Sequence, residues 1–100
     1  MRKLNVKRKW SIIECGSRIT LYVECPAEEA TNKIDGKPFK AYPLKNGKTV
    51  SVEIGDEPTL VIVDSSTMSV SYTVPAGTDE VNLTAAPRYN PAQGNPFTIG

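Results

Sequence analysis

A basic segment at the start of the chain is the group of residues best suited to bind a ligand. Arg2, Lys3, Lys7, Arg8 and Lys9 fall within the first ten residues, which contain no acidic residue. Lys3, Lys7 and Lys9 have the same parity, so a strand would present them as a positive stripe for phosphates or an anionic membrane surface. Lysines also protect an edge strand from pairing with other chains. Edge protection is the preferred interpretation, and an anion-binding stripe is the alternative.

The charge balance of the remaining chain argues against a dedicated nucleic-acid binder. Five of the 12 Lys and Arg residues lie in this segment, and the rest of the chain contains seven basic and 11 acidic residues. The body of the protein is therefore acidic, so the strongly basic body of a dedicated nucleic-acid binder is absent. Trp10 has the parity of the apolar residues, so it is expected in the core and not as a base-stacking platform. Nucleic-acid binding is the weaker of the two partner classes.

Arg8 is exceptional because it has the parity of residues expected to be buried, between Val6 and Trp10. Three explanations are open: the side chain lies beyond the edge of the core, it stacks on Trp10 as a cation–π pair, or it marks a β-bulge. Contact with a ligand anion is a further alternative.

Catalytic and metal-binding patterns are absent from the sequence. There is no histidine, which removes the commonest general base and metal ligand. Two cysteines do not make a four-ligand zinc site. The acidic residues that could act as ligands lie in or beside predicted turns: Asp56, Glu57, Asp64, Asp79 and Glu80. No calcium-loop, phosphate-loop or dinucleotide-binding spacing occurs. We therefore expect no enzyme, no cofactor and no metal.

Two dipeptides predict hairpins between short runs of alternating apolar and polar residues. Asp35-Gly36 and Asn46-Gly47 suit type I′ turns, which need φ > 0 at both central positions. The second turn would pair residues 39–43 with residues 50–54, one face apolar and the other polar. Pro43 cannot donate to a ladder, so its strand is expected at an edge or broken there.

A further hairpin is predicted near the start of the chain. Residues 3–14 alternate as one long strand, Gly16-Ser17 suits a type II′ turn, and Arg18 to Glu24 alternates again. This register places Trp10 opposite Val23 on the buried face.

The same hairpin bears on the two cysteines. It puts Cys15 at the turn and Cys25 seven residues along the second strand, about 23 Å away at 3.3 Å per residue. A disulfide needs Cα atoms within about 7 Å. Two reduced thiols are therefore expected.

The spacing of these elements predicts an all-β fold. About seven strands with turns every 8–12 residues are typical of an antiparallel β-sandwich, Ig-like in the loose sense. A small OB-like barrel is the alternative. We expect residues 1–85 to form one domain and residues 86–100, rich in Pro, Asn and Gly, to be a loop-like C-terminal segment.

The turn sequences resemble those of a known class of module. Lys33 to Pro38, Pro43 to Gly47 and Val74 to Thr78 are similar to stretches of PEGA-type β-sandwich modules, although the Pro-Glu-Gly-Ala motif itself does not occur in this chain. The chain also resembles small uncharacterised proteins of Gram-positive bacteria that begin with a Lys-Arg-Lys-containing strand. The resemblance implies a non-catalytic module and assigns no site residues.

These observations together predict a small interaction or accessory module without catalysis. An edge strand or outer sheet face would contact a protein partner or another copy of the chain. The alternative is anion or nucleic-acid binding through the basic segment. No run approaches the roughly 20 apolar residues of a membrane span, and no apolar stretch follows Met1-Arg2-Lys3 as in a secretory signal. A cytoplasmic location is expected, or an extracellular one if a signal has been removed.

Overall fold

Two β-sheets packed face to face form the protein in a computed structural model that describes residues 1–8, 18–64, 69–87 and 97–99. The predicted all-β sandwich is confirmed, and the two separate sheets exclude the closed-barrel alternative. Within these ranges there are nine strands, against about seven expected, and one 3-10 turn at Ala27–Glu29. The strands are β1 (Arg2–Arg8), β2 (Thr20–Glu24), β3 (Asn32–Ile34), β4 (Lys37–Pro43), β5 (Thr49–Ile54), β6 (Thr59–Asp64), β7 (Ser69–Val74), β8 (Val81–Pro87) and β9 (Phe97–Ile99).

The order of strands joins distant parts of the chain. The four-stranded sheet has the order β5-β1-β8-β9, and the five-stranded sheet has the order β3-β4-β2-β6-β7. β1 lies between β5, which is antiparallel to it, and β8, which is parallel to it. On one side of the sandwich β7 of one sheet contacts β9 of the other. That side is therefore covered by chain from both sheets.

The core is the layer of aliphatic side chains between the sheets. Because side chains alternate along a strand, every second residue of β1, β2 and β6 points into this layer. A fully buried Val or Leu contributes about 1.5–3 kcal/mol relative to an exposed one, so this continuous layer holds the two sheets together. Its buried members are Leu4, Val6, Ile19, Leu21, Val23, Leu44, Ile54, Val61, Val63, Val74, Leu83 and Ala85.

The predicted hairpin between the first two strands is wrong. β1 and β2 lie in different sheets, and both edges of β2 are occupied, by β4 and by β6. Residues 9–14, including Trp10, lie outside the described residues. The parity was nevertheless right, since Val6 and Val23 are both buried. Strand alternation identifies the buried face but not the neighbouring strand, so a chain that crosses to the other sheet buries the same residues.

The distance predicted between Cys15 and Cys25 depended on that hairpin, so it does not apply to this structure. Cys25 is a free thiol in the structure, whereas Cys15 lies outside the described residues.

The two Gly-containing turns differ in geometry and in what they connect. Asp35 and Gly36 both have positive φ, 51° and 79°, and join β3 to β4 as the predicted two-residue hairpin. In the other turn only Gly47 has positive φ, 73°, and the Lys48 N–H donates to the Lys45 carbonyl at 2.9 Å. That is type II geometry, whose twist does not suit a hairpin.

The Asn46-Gly47 turn instead carries the chain from β4 in one sheet to β5 in the other. The predicted pairing of residues 39–43 with residues 50–54 is therefore wrong. Pro43 does end β4, beyond the stretch that β3 covers, as its missing N–H led us to expect.

Part of the C-terminal segment belongs to the sandwich. β8 continues past residue 85 to Pro87, and Phe97–Ile99 pairs antiparallel with its last three residues. Residues 86–100 were expected to be loop-like, and these two stretches of them are strands. Its high proline content did not prevent pairing, because a three-residue strand at the end of a sheet needs few backbone donors.

Candidate functional site

The structure divides the predicted basic stripe between two faces of β1. Arg2 and Arg8 point into the sandwich and are buried, whereas Lys3 and Lys7 are exposed on the outer face. Lys9 lies outside the described residues. Edge protection by Lys3 and Lys7 is wrong, because β1 lies between β5 and β8.

Arg2 and Arg8 extend the core with their alkyl stems and donate to backbone carbonyls at opposite ends of β1. Arg2 donates to the carbonyls of Gly55, Glu57 and Pro75, at 3.0, 3.2 and 2.7 Å. At the other end Arg8, 2% exposed, donates through Nη1 to a carbonyl at 3.0 Å, that of Leu44. Of the explanations offered for Arg8, a position beyond the core edge is therefore wrong, and stacking on Trp10 lies outside the described residues.

The outer face of β1 carries a hydrogen-bond network of polar side chains centred on Asn5. Its Nδ2 donates to Asn82 Oδ1 and to Glu80 Oε2, both at 3.0 Å, while Ser51 Oγ donates to its Oδ1 at 2.7 Å. Lys3 lies directly opposite Glu53 of β5. The positive charge of this face is thus offset by nearby carboxylates.

One edge of β5 is not covered by any described strand, and the register shows which backbone groups it presents. The Arg8 N–H donates to the Lys48 carbonyl at 2.9 Å, which makes that pair a hydrogen-bonded one of the β1–β5 ladder. Hydrogen-bonded and non-bonded pairs alternate in an antiparallel ladder. The N–H and C=O groups of Thr49, Ser51 and Glu53 therefore point away from β1. No strand in the described part of the chain pairs with this edge.

A groove runs beside that edge, where the two sheets separate between β4 and β5. Its volume is about 460 Å³. Apolar side chains from both sheets line its interior: Val23, Tyr42, Val52 and Ile54. Four carboxylates and one lysine also line it: Glu24, Glu29, Glu53, Glu57 and Lys40. The groove is therefore apolar at its floor and acidic at its rim.

The neighbouring edge of β4 is blocked by its own chain. The Thr31 N–H donates to the Phe39 carbonyl at 3.0 Å, and the Ala41 N–H donates to Thr31 Oγ1 at the same distance. Pro43 has no N–H to offer. Of the two strands that border the groove, only β5 can accept another strand along its length.

Cys25 also lines the groove, and its environment keeps the thiol protonated. Partial burial raises the pKa of Cys25, the carboxylate of Glu29 raises it further, and the nearby ammonium of Lys40 acts in the opposite direction. A protonated thiol is a poor nucleophile. Among the described residues, no group of three His, Cys, Asp or Glu side chains is placed to hold a metal ion.

Sequence reasoning missed the residues of this site. The misassigned hairpin hid the β5 edge, and no feature of Thr49, Ser51 or Glu53 marks them as edge residues. Tyr42 is half-buried and packs against the core within the groove. Tyr22 is half-buried on the outer face of its sheet, and Ser71 is exposed there.

Comparisons of the chain with protein-family models, with curated proteins and with solved structures find no match. The resemblance to PEGA-type modules therefore stays a prediction. In the part of the chain that the structure describes, no helix has the length and apolar character needed to cross a membrane.

Proposed function

We propose that the protein is a non-catalytic interaction module that binds an extended segment of a partner protein by strand addition to β5. One observation carries the proposal: the backbone groups of Thr49, Ser51 and Glu53 face an edge that no described strand covers, beside a groove with both apolar and acidic lining residues. Strand addition obtains its affinity from main-chain hydrogen bonds and its specificity from pockets for alternate side chains. The β5 edge and its groove provide both.

The chemistry of the groove indicates what the partner segment contains. Alternate side chains of an added strand point toward the groove and toward the outer face. Those pointing inward would cover the half-buried Val52 and the apolar floor, so they are apolar. The carboxylates of Glu24, Glu29 and Glu57 favour lysine or arginine near the ends of the segment. The proposed partner is therefore an extended segment in which apolar and basic residues alternate.

A synthetic peptide tests the proposal directly. The probe is an acetylated peptide of about eight alternating valines and lysines, long enough to span β5, and binding is measured by titration calorimetry. In an antiparallel complex the lysine N–H groups face β5, so N-methylation at the lysines abolishes binding and N-methylation at the valines leaves it. The reverse result supports a parallel strand. Equal effects of both methylations, or no binding of the parent peptide, contradict strand addition.

Protein variants provide a matched pair for the same titration. Ser51→Pro removes the central N–H of the edge without removing a bond to β1. The control is Thr73→Pro on β7, where the backbone groups of Thr73 also point away from β6, the strand that pairs with β7. The Leu60 N–H faces β2, since it donates to Glu24 Oε1 at 3.1 Å. Because backbone groups alternate in direction along a strand, those of the odd-numbered residues of β6 face β7. Thr73 lies opposite Leu60, so its own backbone groups point away from β6.

Ser51→Pro is expected to weaken peptide binding at least about tenfold, since a hydrogen bond is lost and the ring obstructs the added strand. Thr73→Pro and Ser51→Ala are expected to leave it unchanged. Ser51→Pro also removes the Ser51 hydroxyl, which donates to Asn5. The alanine variant removes this hydroxyl alone and therefore separates its contribution from that of the backbone N–H.

A second copy of the chain is the competing occupant of the edge. Two β5 strands paired antiparallel about Ser51 would bond odd residues to odd residues and place Thr49 opposite Glu53. Ser51→Glu puts two like charges opposite each other in such a pair, but adds a favourable charge for a basic segment. A dimer in light scattering that Ser51→Glu dissociates, with no peptide binding, would contradict the proposal in favour of self-association.

A further inference from the structure

The two ends of the β5 edge differ in charge, and the end at which the chain leaves β5 is acidic. The groove lies beside residues 52–54, the second half of β5, and continues along Gly55 and Glu57 of the following turn. A Cβ placed on Gly55 would lie 3.4 Å from Glu57 Oε1, so the Glu57 carboxylate lies directly after the end of the strand. Asp56 of the same turn pairs with the N-terminal ammonium of Met1 at 3.5 Å, so its charge is already compensated.

Two carboxylates from the other sheet lie across the groove from this end of β5. Glu24 is the last residue of β2, and its Oε1 accepts the Leu60 N–H at 3.1 Å, which holds the carboxylate in place. Glu29 comes from the 3-10 turn that follows β2. In the part of the chain that the structure describes, neither these carboxylates nor those of Glu53 and Glu57 form an ion pair. All four are therefore open to a cationic ligand.

The Cys25 thiol reports the sign of the electrostatic potential in the groove. Burial is the largest cause of its raised pKa, and the carboxylate of Glu29 is the next. The ammonium of Lys40 lowers the pKa by less than Glu29 raises it, and Glu28 and Glu24 raise it further. The potential around the thiol is therefore negative even though a lysine lines the groove.

The other end of β5 carries the opposite charge on its described residues. Lys48 immediately precedes the strand, and Lys7 of β1 lies directly opposite Thr49, and both lysines are exposed. Residues 44–52 include no acidic residue. The two ends of the strand are about 17 Å apart at 3.3 Å per residue, which is about twice the Debye length at physiological ionic strength. A charged ligand group at one end is thus affected mainly by that end.

We propose that the partner segment runs antiparallel to β5 and carries its basic residues in its N-terminal half. This inference rests on the strand addition proposed above and adds the direction and charge order of the segment. An antiparallel segment begins beside Ile54, at the acidic end, and antiparallel pairing is the more stable kind per residue. Its residue opposite Glu53 and the residue two places earlier, opposite Gly55, lie on the face that carries the Glu53 and Glu57 carboxylates. Lysine or arginine at these two places forms cross-strand pairs of opposite charge.

Two peptides of identical composition test the direction. Both are acetylated, amidated and about eight residues long, enough to span β5, with valines alternating with two lysines and two serines. The lysines precede the serines in the lysine-first peptide and follow them in the lysine-last peptide. Their net charges are equal, so general attraction to an acidic surface cannot separate them. Calorimetry should show the lysine-first peptide binding at least about fivefold more tightly, as two cross-strand charge pairs imply.

A double variant tests which carboxylates cause the preference. Glu53→Gln combined with Glu57→Gln removes two charges and keeps the size of both side chains. The matched control combines Asp35→Asn with Asp79→Asn, two exposed acidic residues that do not line the groove. Both double variants lose two negative charges. The groove variant should bind the two peptides equally, and the control variant should keep the preference of the parent.

The remaining outcomes separate this inference from strand addition itself. Tighter binding of the lysine-last peptide, equal binding of both peptides by the parent, or a preference that the groove variant keeps would overturn the direction. If the valine–lysine peptide binds and neither of these two does, basic residues are needed along the whole segment, which also overturns it. If none of the three peptides binds, strand addition is contradicted.

Discussion

The side chain of Arg2 forms hydrogen bonds with two turns at one end of the sandwich. Its replacement tests how much this arginine stabilises the fold. Arg2 is only 7% exposed, and its guanidinium donates to the carbonyls of Gly55, Glu57 and Pro75. The first two belong to the turn after β5, and the third to the turn after β7, so the contact links the two sheets. Arg2→Met keeps an unbranched apolar stem and deletes every donor.

The magnitude follows from the number and exposure of the acceptors. A hydrogen bond from a charged donor contributes about 1.5–3 kcal/mol. Glu57 and Pro75 are exposed and Gly55 is half-buried, so water can replace much of what the acceptors lose. We therefore expect Arg2→Met to lower the free energy of unfolding by about 2–4 kcal/mol, out of the 5–15 kcal/mol usual for a domain. For a chain of this length this corresponds to a fall in Tm of roughly 10–25 °C.

Urea unfolding followed by far-ultraviolet circular dichroism measures the effect. Lys3→Met is the matched control, since Lys3 is the adjacent residue, is exposed and points to the opposite face. Its effect should be within about 0.5 kcal/mol. Arg2→Lys should be intermediate, because one ammonium cannot reach three separate carbonyls. If Arg2→Met and Lys3→Met unfold at the same urea concentration, the hydrogen bonds of Arg2 do not stabilise the fold and the reasoning fails.

Three further predictions concern single positions. A Cβ at Gly77 would lie 3.3 Å from Arg2 Nη1, so Gly77→Ala should lower the free energy of unfolding of the parent by about 0.5–1 kcal/mol. In protein carrying Arg2→Met the same change should be neutral or stabilising, because alanine reduces the conformational entropy of the unfolded chain. Additive effects in this double-mutant cycle would contradict the contact. Gly36→Ala should cost about 1–2 kcal/mol in urea unfolding, because φ is +79° and no atom lies near the new Cβ, so only backbone strain acts; unchanged stability would refute this. In protein carrying Cys15→Ser, the iodoacetamide reaction of Cys25 should show a pH midpoint above that of an ordinary thiol, because partial burial raises its pKa; a lower midpoint would contradict that environment.

The sequence by itself determined the strands and the buried parity of those strands. Leu4 and Val6 in β1 and Leu21 and Val23 in β2 are buried as their alternation predicts. This succeeds because the period of a strand is local and one apolar face must be covered. The Asp35-Gly36 hairpin was predictable for the same reason, since both residues adopt positive φ within a single turn.

Only the tertiary structure decided which strands are neighbours, and the candidate site depends on that. β5 has the same alternating pattern whether or not a strand lies beside it, so Ser51 could not be recognised as an edge residue. Asn46-Gly47 is compatible with a type I′ or a type II turn. The type II turn forms, and it leads the chain into the other sheet as β5. Among the described residues, the backbone groups that no strand covers are set by contacts between residues far apart in the chain. Local propensity carries no information about such contacts, because they form only when the two sheets pack.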